Sequence, residues 1–187
     1  MKRIFVASAS RETKNEAYNK LAEDIGIYIA DGFHTYVFGG CVSGFMGRIY
    51  NVVRKRNECC KIIAPGVEAY KDDIIQLAMK DPEAKCSISP TVNDRKNKII
   101  ENSDVLIFIV GGIGTLDELF SCIESKRAGE HDKPILIVNI DGYYDCLLGM
   151  LEKIYIEGFA SQSNREVYTV CNSFAELKVE LDKIANK

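Results

Sequence analysis

The sequence predicts a doubly wound, Rossmann-like α/β fold: a parallel sheet with helices on both faces, built by residues 1–187 as a single domain. Short apolar runs alternate with stretches of helical spacing along the whole chain, the order that makes successive βαβ units. The runs are almost continuously apolar, as in Val105-Leu106-Ile107-Phe108-Ile109, which is how strands buried on both faces read. At 187 residues, 47% hydrophobic and 27% charged, the chain suits one globular domain with a full layered core.

Ile4-Phe5-Val6-Ala7 is the first strand, and Ser8-Ala9-Ser10 the polar turn after it. Ala17, Leu21, Ile25, Tyr28 and Ile29 follow at helical spacing, with Gly32 placed to end the helix. Tyr36-Val37-Phe38 is the second strand, closed by Gly39-Gly40. Phe45, Ile49, Val52 and Val53 predict a helix over residues 44–56, whose end, Arg54-Lys55-Arg56, reads as solvated. Cys60-Lys61-Ile62-Ile63-Ala64 is a third strand, stopped by Pro65-Gly66. Residues 66–90 are weakly patterned, with a short helix over 73–80 and an extended piece over 86–88. A helix over 94–102 leads to the strand 105–110. The helix over 115–127 buries Leu116, Leu119, Phe120 and Ile123. Strand 135–138, helix 143–156, strand 167–170 and helix 174–184 complete the chain.

Composition narrows the function. A formal net charge of −3 gives no bias toward nucleic acid or anionic membrane, and neither is expected as a partner. The cysteines, Cys41, Cys59, Cys60, Cys86, Cys122, Cys146 and Cys171, are odd in number and form no CxxC pair. That argues against a disulfide framework and a zinc site and favours a reducing, cytoplasmic setting. No signal core or membrane-length apolar run is present. His34 and His131 read as surface loop residues, no cluster has metal-ligand spacing, and no cofactor is expected.

Ligands of doubly wound folds sit beyond the carboxyl ends of the strands, so the loops after Ala7, Phe38 and Val110 face one crevice. The third, Val110-Gly111-Gly112-Ile113-Gly114-Thr115-Leu116-Asp117-Glu118, has the strand–glycine–helix order of a phosphate cradle. It is neither the dinucleotide fingerprint, since Asp117-Glu118 stands where a third glycine is wanted, nor a Walker A loop. A carboxylate one turn into such a helix repels phosphate unless it has a separate task. Thr115-x-x-Glu118 equally fits a capping box, and the spacing leaves both uses open. The helix dipole is expected to hold Glu118 ionised. The second loop carries Gly39, Gly40, Gly44 and Gly47, more glycine than one turn needs. It reads as close approach to a ligand or as a helix packed tightly on the sheet. The first loop offers Ser8 and Ser10. Arg95 and Lys96 lie at a helix start, where the dipole disfavours cations, which implies an anionic partner for Arg95.

Together these segments resemble the Lonely Guy family, also called lysine decarboxylase-like, whose members are cytokinin riboside 5′-monophosphate phosphoribohydrolases. The family's PGGxGTxxE motif appears as Val110 to Glu118, and its GGGxxGLMG motif as Gly39-Gly40-Cys41-Val42-Ser43-Gly44-Phe45-Met46-Gly47. Its arginine–lysine pair matches Arg95-Lys96. Lys133-Pro134, Asn139-Ile140-Asp141-Gly142-Tyr143-Tyr144 and Glu157-Gly158-Phe159 match further segments in order. The resemblance implies Arg95 and Glu118 as the catalytic pair, Gly111, Gly112, Gly114 and Thr115 as the phosphate site, and Gly39, Gly40, Met46 and Gly47 as nucleotide contacts. Ser8 and Lys96 join the binding set, and a homodimer is implied. Val110, Cys41 and Phe45 depart from the motifs, and residues 66–90 align poorly where the family's base pocket is partly built.

The implied reaction is hydrolysis of the N-glycosidic bond of a nucleoside 5′-monophosphate, of the cytokinin riboside or AMP type, to free base and ribose 5-phosphate. Two other classes fit the same features. One is a nucleotide-binding carrier without catalysis. The other is base exchange like that of nucleoside deoxyribosyltransferases, with Glu118 as nucleophile.

Overall fold

A computed structural model describes residues 1–186. Seven strands form one sheet: β1 (Arg3–Ala7), β2 (Thr35–Val37), β3 (Ile62–Val67), β4 (Lys85–Ser89), β5 (Val105–Phe108), β6 (Ile135–Val138) and β7 (Thr169–Cys171). Their spatial order is β4-β3-β2-β1-β5-β6-β7, and every pairing is parallel. The chain winds outward from β1 to β4, crosses back to lay β5 beside β1, and winds outward the other way. The switch therefore falls between β1 and β5, where neighbouring connections leave the sheet in opposite directions and open a crevice.

The helices are α1 (Glu16–Asp31), α2 (Gly44–Arg56), α3 (Lys71–Lys80), α4 (Val92–Glu101), α5 (Ile113–Arg127), α6 (Asp145–Ile156) and α7 (Phe174–Ala185). Two cores result. On one face Leu21, Ile25 and Ile29 of α1, Ile49 and Val53 of α2, Ile74 and Leu77 of α3 and Leu177 and Leu181 of α7 pack on the sheet. On the other, Ile99 of α4, Leu119, Cys122 and Ile123 of α5 and Tyr144 pack against Phe5, Leu106, Phe108 and Ile137. All four β5 residues are buried, as the near-continuous apolar run predicts.

Several boundaries differ from the sequence reading. Pro65-Gly66 does not stop β3, which runs on to Val67 in register with β4. The reason is the shortness of β2. Phe38 donates its N–H to the Ile63 carbonyl, so residues 63 and 65 face the β2 side. Beyond Ile63 no strand lies there, and a proline without an N–H is tolerated. The last strand begins at Thr169, after a turn of 3₁₀ helix over Gln162–Val167. Arg54 is no solvated helix end: its Nε donates to Asp81 at 2.6 Å and its Nη1 to the Cys60 carbonyl at 2.6 Å. His34 is buried, stacked on Tyr28, and its Nδ1 accepts from the Lys2 N–H. His131 is half-buried against the Cys122 carbonyl.

Candidate active site

A cavity of about 460 Å³ opens at the carboxyl ends of β1, β2, β3 and β5, over the switch point. Register sets its floor. Ala7 pairs with Phe108, so Ser8-Ala9 and Ile109-Val110 leave the sheet side by side, tied by Ala9 N–H to the Val110 carbonyl at 3.1 Å. Ser8 is 6% exposed, lines the cavity, and its Oγ has no hydrogen-bond partner. A buried hydroxyl left unpaired is costly, and a polar ligand in the cavity would satisfy it.

The α5 end forms the next wall. The helix starts at Ile113, with Gly112 as an extended N-cap lacking any side-chain cap bond. The first intrahelical bond runs from Leu116 N–H to the Gly112 carbonyl, leaving the Ile113, Gly114 and Thr115 amides directed past the helix end. Gly112 and Gly114 line the cavity, and a Cβ on either would meet nothing within 4 Å. These glycines keep the space before the amides open. Tyr143 and Tyr144 brace the turn from behind: the Tyr144 hydroxyl donates to the Ile109 carbonyl at 2.6 Å, and that of Tyr143 to the Gly111 carbonyl. The Tyr144 N–H in turn donates to the Asn139 side-chain oxygen at 2.7 Å.

Thr115 is the third residue of α5, not its cap, and lines the cavity while buried. The capping-box reading of Thr115 and Glu118 therefore fails. Glu118, in the second turn, has its side chain 9% exposed, and its Oε1 accepts from Arg95 Nη2 at 2.7 Å. Burial pushes the Glu118 carboxyl above its ordinary value near 4.5, against the opposing pull of Arg95. The dipole alone therefore does not set this value, because it acts mainly on the first turn and desolvation is the largest influence here.

Arg95 reaches this place from α4. Its Nε donates to the Pro65 carbonyl at 3.2 Å, which β2 is too short to occupy. A Cβ on Gly39 would come within 2.6 Å of Arg95 Nη2, so a glycine there gives the guanidinium room. Gly39 and Met46 also line the cavity. Gly40, Gly47, Gly111 and Lys96 stand outside its lining. Gly40 turns through a φ of +87° against Ile74, Gly47 abuts the Val42 carbonyl, and Gly111 packs on the Thr115 side chain. Lys96 pairs with Asp117 at 2.9 Å. The structure adds Arg11, Cys41, Tyr70 and Asp73 to the lining. Cys41 belongs to the second glycine loop, whereas Tyr70 and Asp73 lie in the weakly patterned stretch and carried no sequence signal. Among the described residues no group of three His, Cys, Asp or Glu side chains is placed to hold a metal ion, and no helix is long and apolar enough to cross a membrane.

Fold and site together define a doubly wound α/β protein with an anion-receptive helix end and a buried arginine–glutamate pair at its switch point. The family model described as "Possible lysine decarboxylase" matches residues 46–181. The chain is 30% identical over 184 residues to a cytokinin riboside 5′-monophosphate phosphoribohydrolase of Arabidopsis thaliana, covering 98% of this chain and 83% of the relative. A second Arabidopsis protein of that name is 29% identical over 181 residues, covering 97% and 82%. The chain belongs to this family, the lysine decarboxylase-like or Lonely Guy proteins. Among solved structures, the Moco carrier protein of Chlamydomonas reinhardtii matches with a TM-score of 0.64 at 16% identity, covering 99% of this chain and 98% of that one. The molybdenum cofactor binding protein of Rippkaea orientalis matches at 0.63 and 20%, covering 100% and 98%. At these identities the likeness is one of fold.

Proposed function

We propose that this protein hydrolyses the N-glycosidic bond of a nucleoside 5′-monophosphate, releasing the free base and ribose 5-phosphate. The observation that carries the reading is the buried Arg95–Glu118 pair, set in one cavity with the open amides of α5. The names of the relatives point to the same reaction class. The 5′-phosphate accepts from the Ile113, Gly114 and Thr115 amides and from the Ser8 hydroxyl, and the helix dipole favours its charge. That grip fixes the sugar beside Glu118, so binding energy far from the scissile bond is used for orientation. As the C1′–N bond breaks, positive charge grows on the sugar. The Glu118 carboxylate stabilises it and takes a proton from the attacking water as its oxygen bonds to C1′, while the base leaves with the C1′–N electron pair and is protonated from solvent. Its raised proton affinity makes it the better base. Arg95 offsets the cost of keeping that carboxylate ionised and aims it. In this reading Lys96 acts on the site only through Asp117.

The test is incubation with a panel of nucleoside 5′-monophosphates, followed by detection of free base and ribose 5-phosphate. Wild type is expected to cleave at least one, and Glu118→Gln to do so about 10²–10⁴-fold more slowly with the fold retained. Equal turnover by the variant removes Glu118 from the chemistry. Ligand-induced thermal stabilisation without any product favours a carrier instead. We further propose a cytoplasmic homodimer. Support comes from the seven cysteines, all free thiols, and from Ile113 and Phe120, 84% and 43% exposed on α5.

A further inference from the structure

The charged groups of the cavity are not equivalent. Arg95 and Glu118 satisfy each other. Asp73 lines the same cavity, half-buried on the first turn of α3, and among the described residues its carboxylate has no hydrogen-bond or ion-pair partner. Its neighbour Asp72 is exposed and outside the lining, and complements the helix dipole equally well. Helix stability therefore does not explain why one carboxylate faces the cavity.

We propose that Asp73 is a specificity-determining residue, whose carboxylate accepts a hydrogen bond from the exocyclic amino group of an aminopurine base. The inference rests on the nucleotide reading given above. Its geometry comes from the sheet. The phosphate cradle follows β5 and Asp73 follows β3, three strand steps away, or about 14 Å at roughly 4.8 Å per step. A nucleotide anchored by its phosphate at α5 spans that distance and presents its base to α3. An unpaired carboxylate repels the phosphate from this end, which fixes the orientation. Tyr70, exposed and lining the same end, offers a flat face for stacking. Stacking accepts any base, so discrimination falls to Asp73, whose carboxylate offers the exocyclic amino group an acceptor. A site that hydrogen-bonds a substrate N–H binds the analogue lacking it more weakly, because the bound analogue partly desolvates the acceptor without replacing its partner.

The experiment is calorimetric binding of AMP and of purine riboside 5′-monophosphate, which lacks only the 6-amino group. It uses wild type, Asp73→Ala, Asp73→Asn, Asp72→Ala and Tyr70→Ala, with circular dichroism to verify folding. Wild type is expected to hold AMP about tenfold more tightly, as a hydrogen bond to a charged acceptor provides. Asp73→Ala brings the ratio to near one, and Asp73→Asn keeps part of it through the amide oxygen. Asp72→Ala leaves the ratio unchanged, and Tyr70→Ala weakens both nucleotides alike. A wild-type ratio of one, an unchanged ratio in Asp73→Ala, or its loss in Asp72→Ala overturns the assignment. Because the readout is binding, discrimination without release of ribose 5-phosphate sinks the hydrolase reading and leaves Asp73 standing. Turnover without discrimination does the reverse, and failure of wild type to bind either nucleotide overturns both.

Discussion

Arg95 is held by two acceptors far apart in sequence, the Pro65 carbonyl and Glu118. Each has a local cause: a strand that outruns its neighbour, and a helix that turns its second-turn carboxylate inward. The arginine tunes the glutamate. Burial raises the Glu118 pKa, and the Arg95 charge is the largest opposing influence. A step that needs the carboxylate gains rate as pH rises through that raised value. Removing Arg95 raises it further. Arg95→Ala is therefore expected to lower kcat/KM and to move the acid limb of its pH profile upward, read from initial rates across a pH series. An acid limb left in place removes the tuning role. At this scale the sequence was partly legible. A cation pair at a helix start signalled an anionic partner for Arg95, whereas Lys96, its equal in the pattern, turned to Asp117. Side-chain direction made the difference, and helical spacing alone does not fix what lies opposite.

At the scale of elements, the α5 end and the α2 end carry opposite lessons. Gly114 lies in the first turn of α5 with open space where a Cβ would sit. In an ordinary helix Gly→Ala is stabilising by about 0.5–1 kcal/mol. Gly114→Ala is expected to raise the melting temperature while lowering kcat/KM about tenfold, as the methyl blocks a charged hydrogen bond. Loss of both together would mark Gly114 as structural. At the α2 end, Arg54 joins Asp81, which follows α3, to the Cys60 carbonyl at the entry to β3. The Tyr50 hydroxyl also donates to Asp81. The Arg54 and Asp81 side chains are 17% and 8% exposed. Breaking a pair this buried leaves a charge uncompensated, so Arg54→Ala is expected to cost about 3 kcal/mol in urea unfolding, with activity per folded molecule retained. The sequence read Arg54 as solvated because a basic helix end is the ordinary pattern. The acceptors that bury it arrive from α3 and β3, beyond the reach of a local reading.

At the scale of the molecule, the two faces of the sheet are unlike. The face of α1, α2, α3 and α7 holds the larger core. The face of α4, α5 and α6 holds a smaller one and leaves Ile113, Phe120, Met150 and Ile156 of α5 and α6 exposed. Exposed apolar side chains also occur on α3 and α7, as Ile75, Met79 and Val179, so the dimer proposed above is tested on α5 itself. Light scattering on the purified protein is expected to give twice the mass of one chain, and Phe120→Glu to halve it. A wild-type monomer would remove the dimer.

The sequence by itself determined the layered class, the parallel pairing and the loop that holds the candidate chemistry. Continuous apolar runs and glycine turns are local patterns with few structural solutions. It also fixed the family, through motifs whose order no single loop supplies. Only the tertiary structure decided that α5 begins at Ile113, capped by Gly112, that β3 outruns β2 to free a carbonyl, and that Glu118 is raised by burial instead of lowered by a dipole. It also brought Tyr70 and Asp73 from the weakly patterned stretch into the cavity. Each of these depends on which surface another segment covers, and burial of that kind is set by the whole chain packing at once.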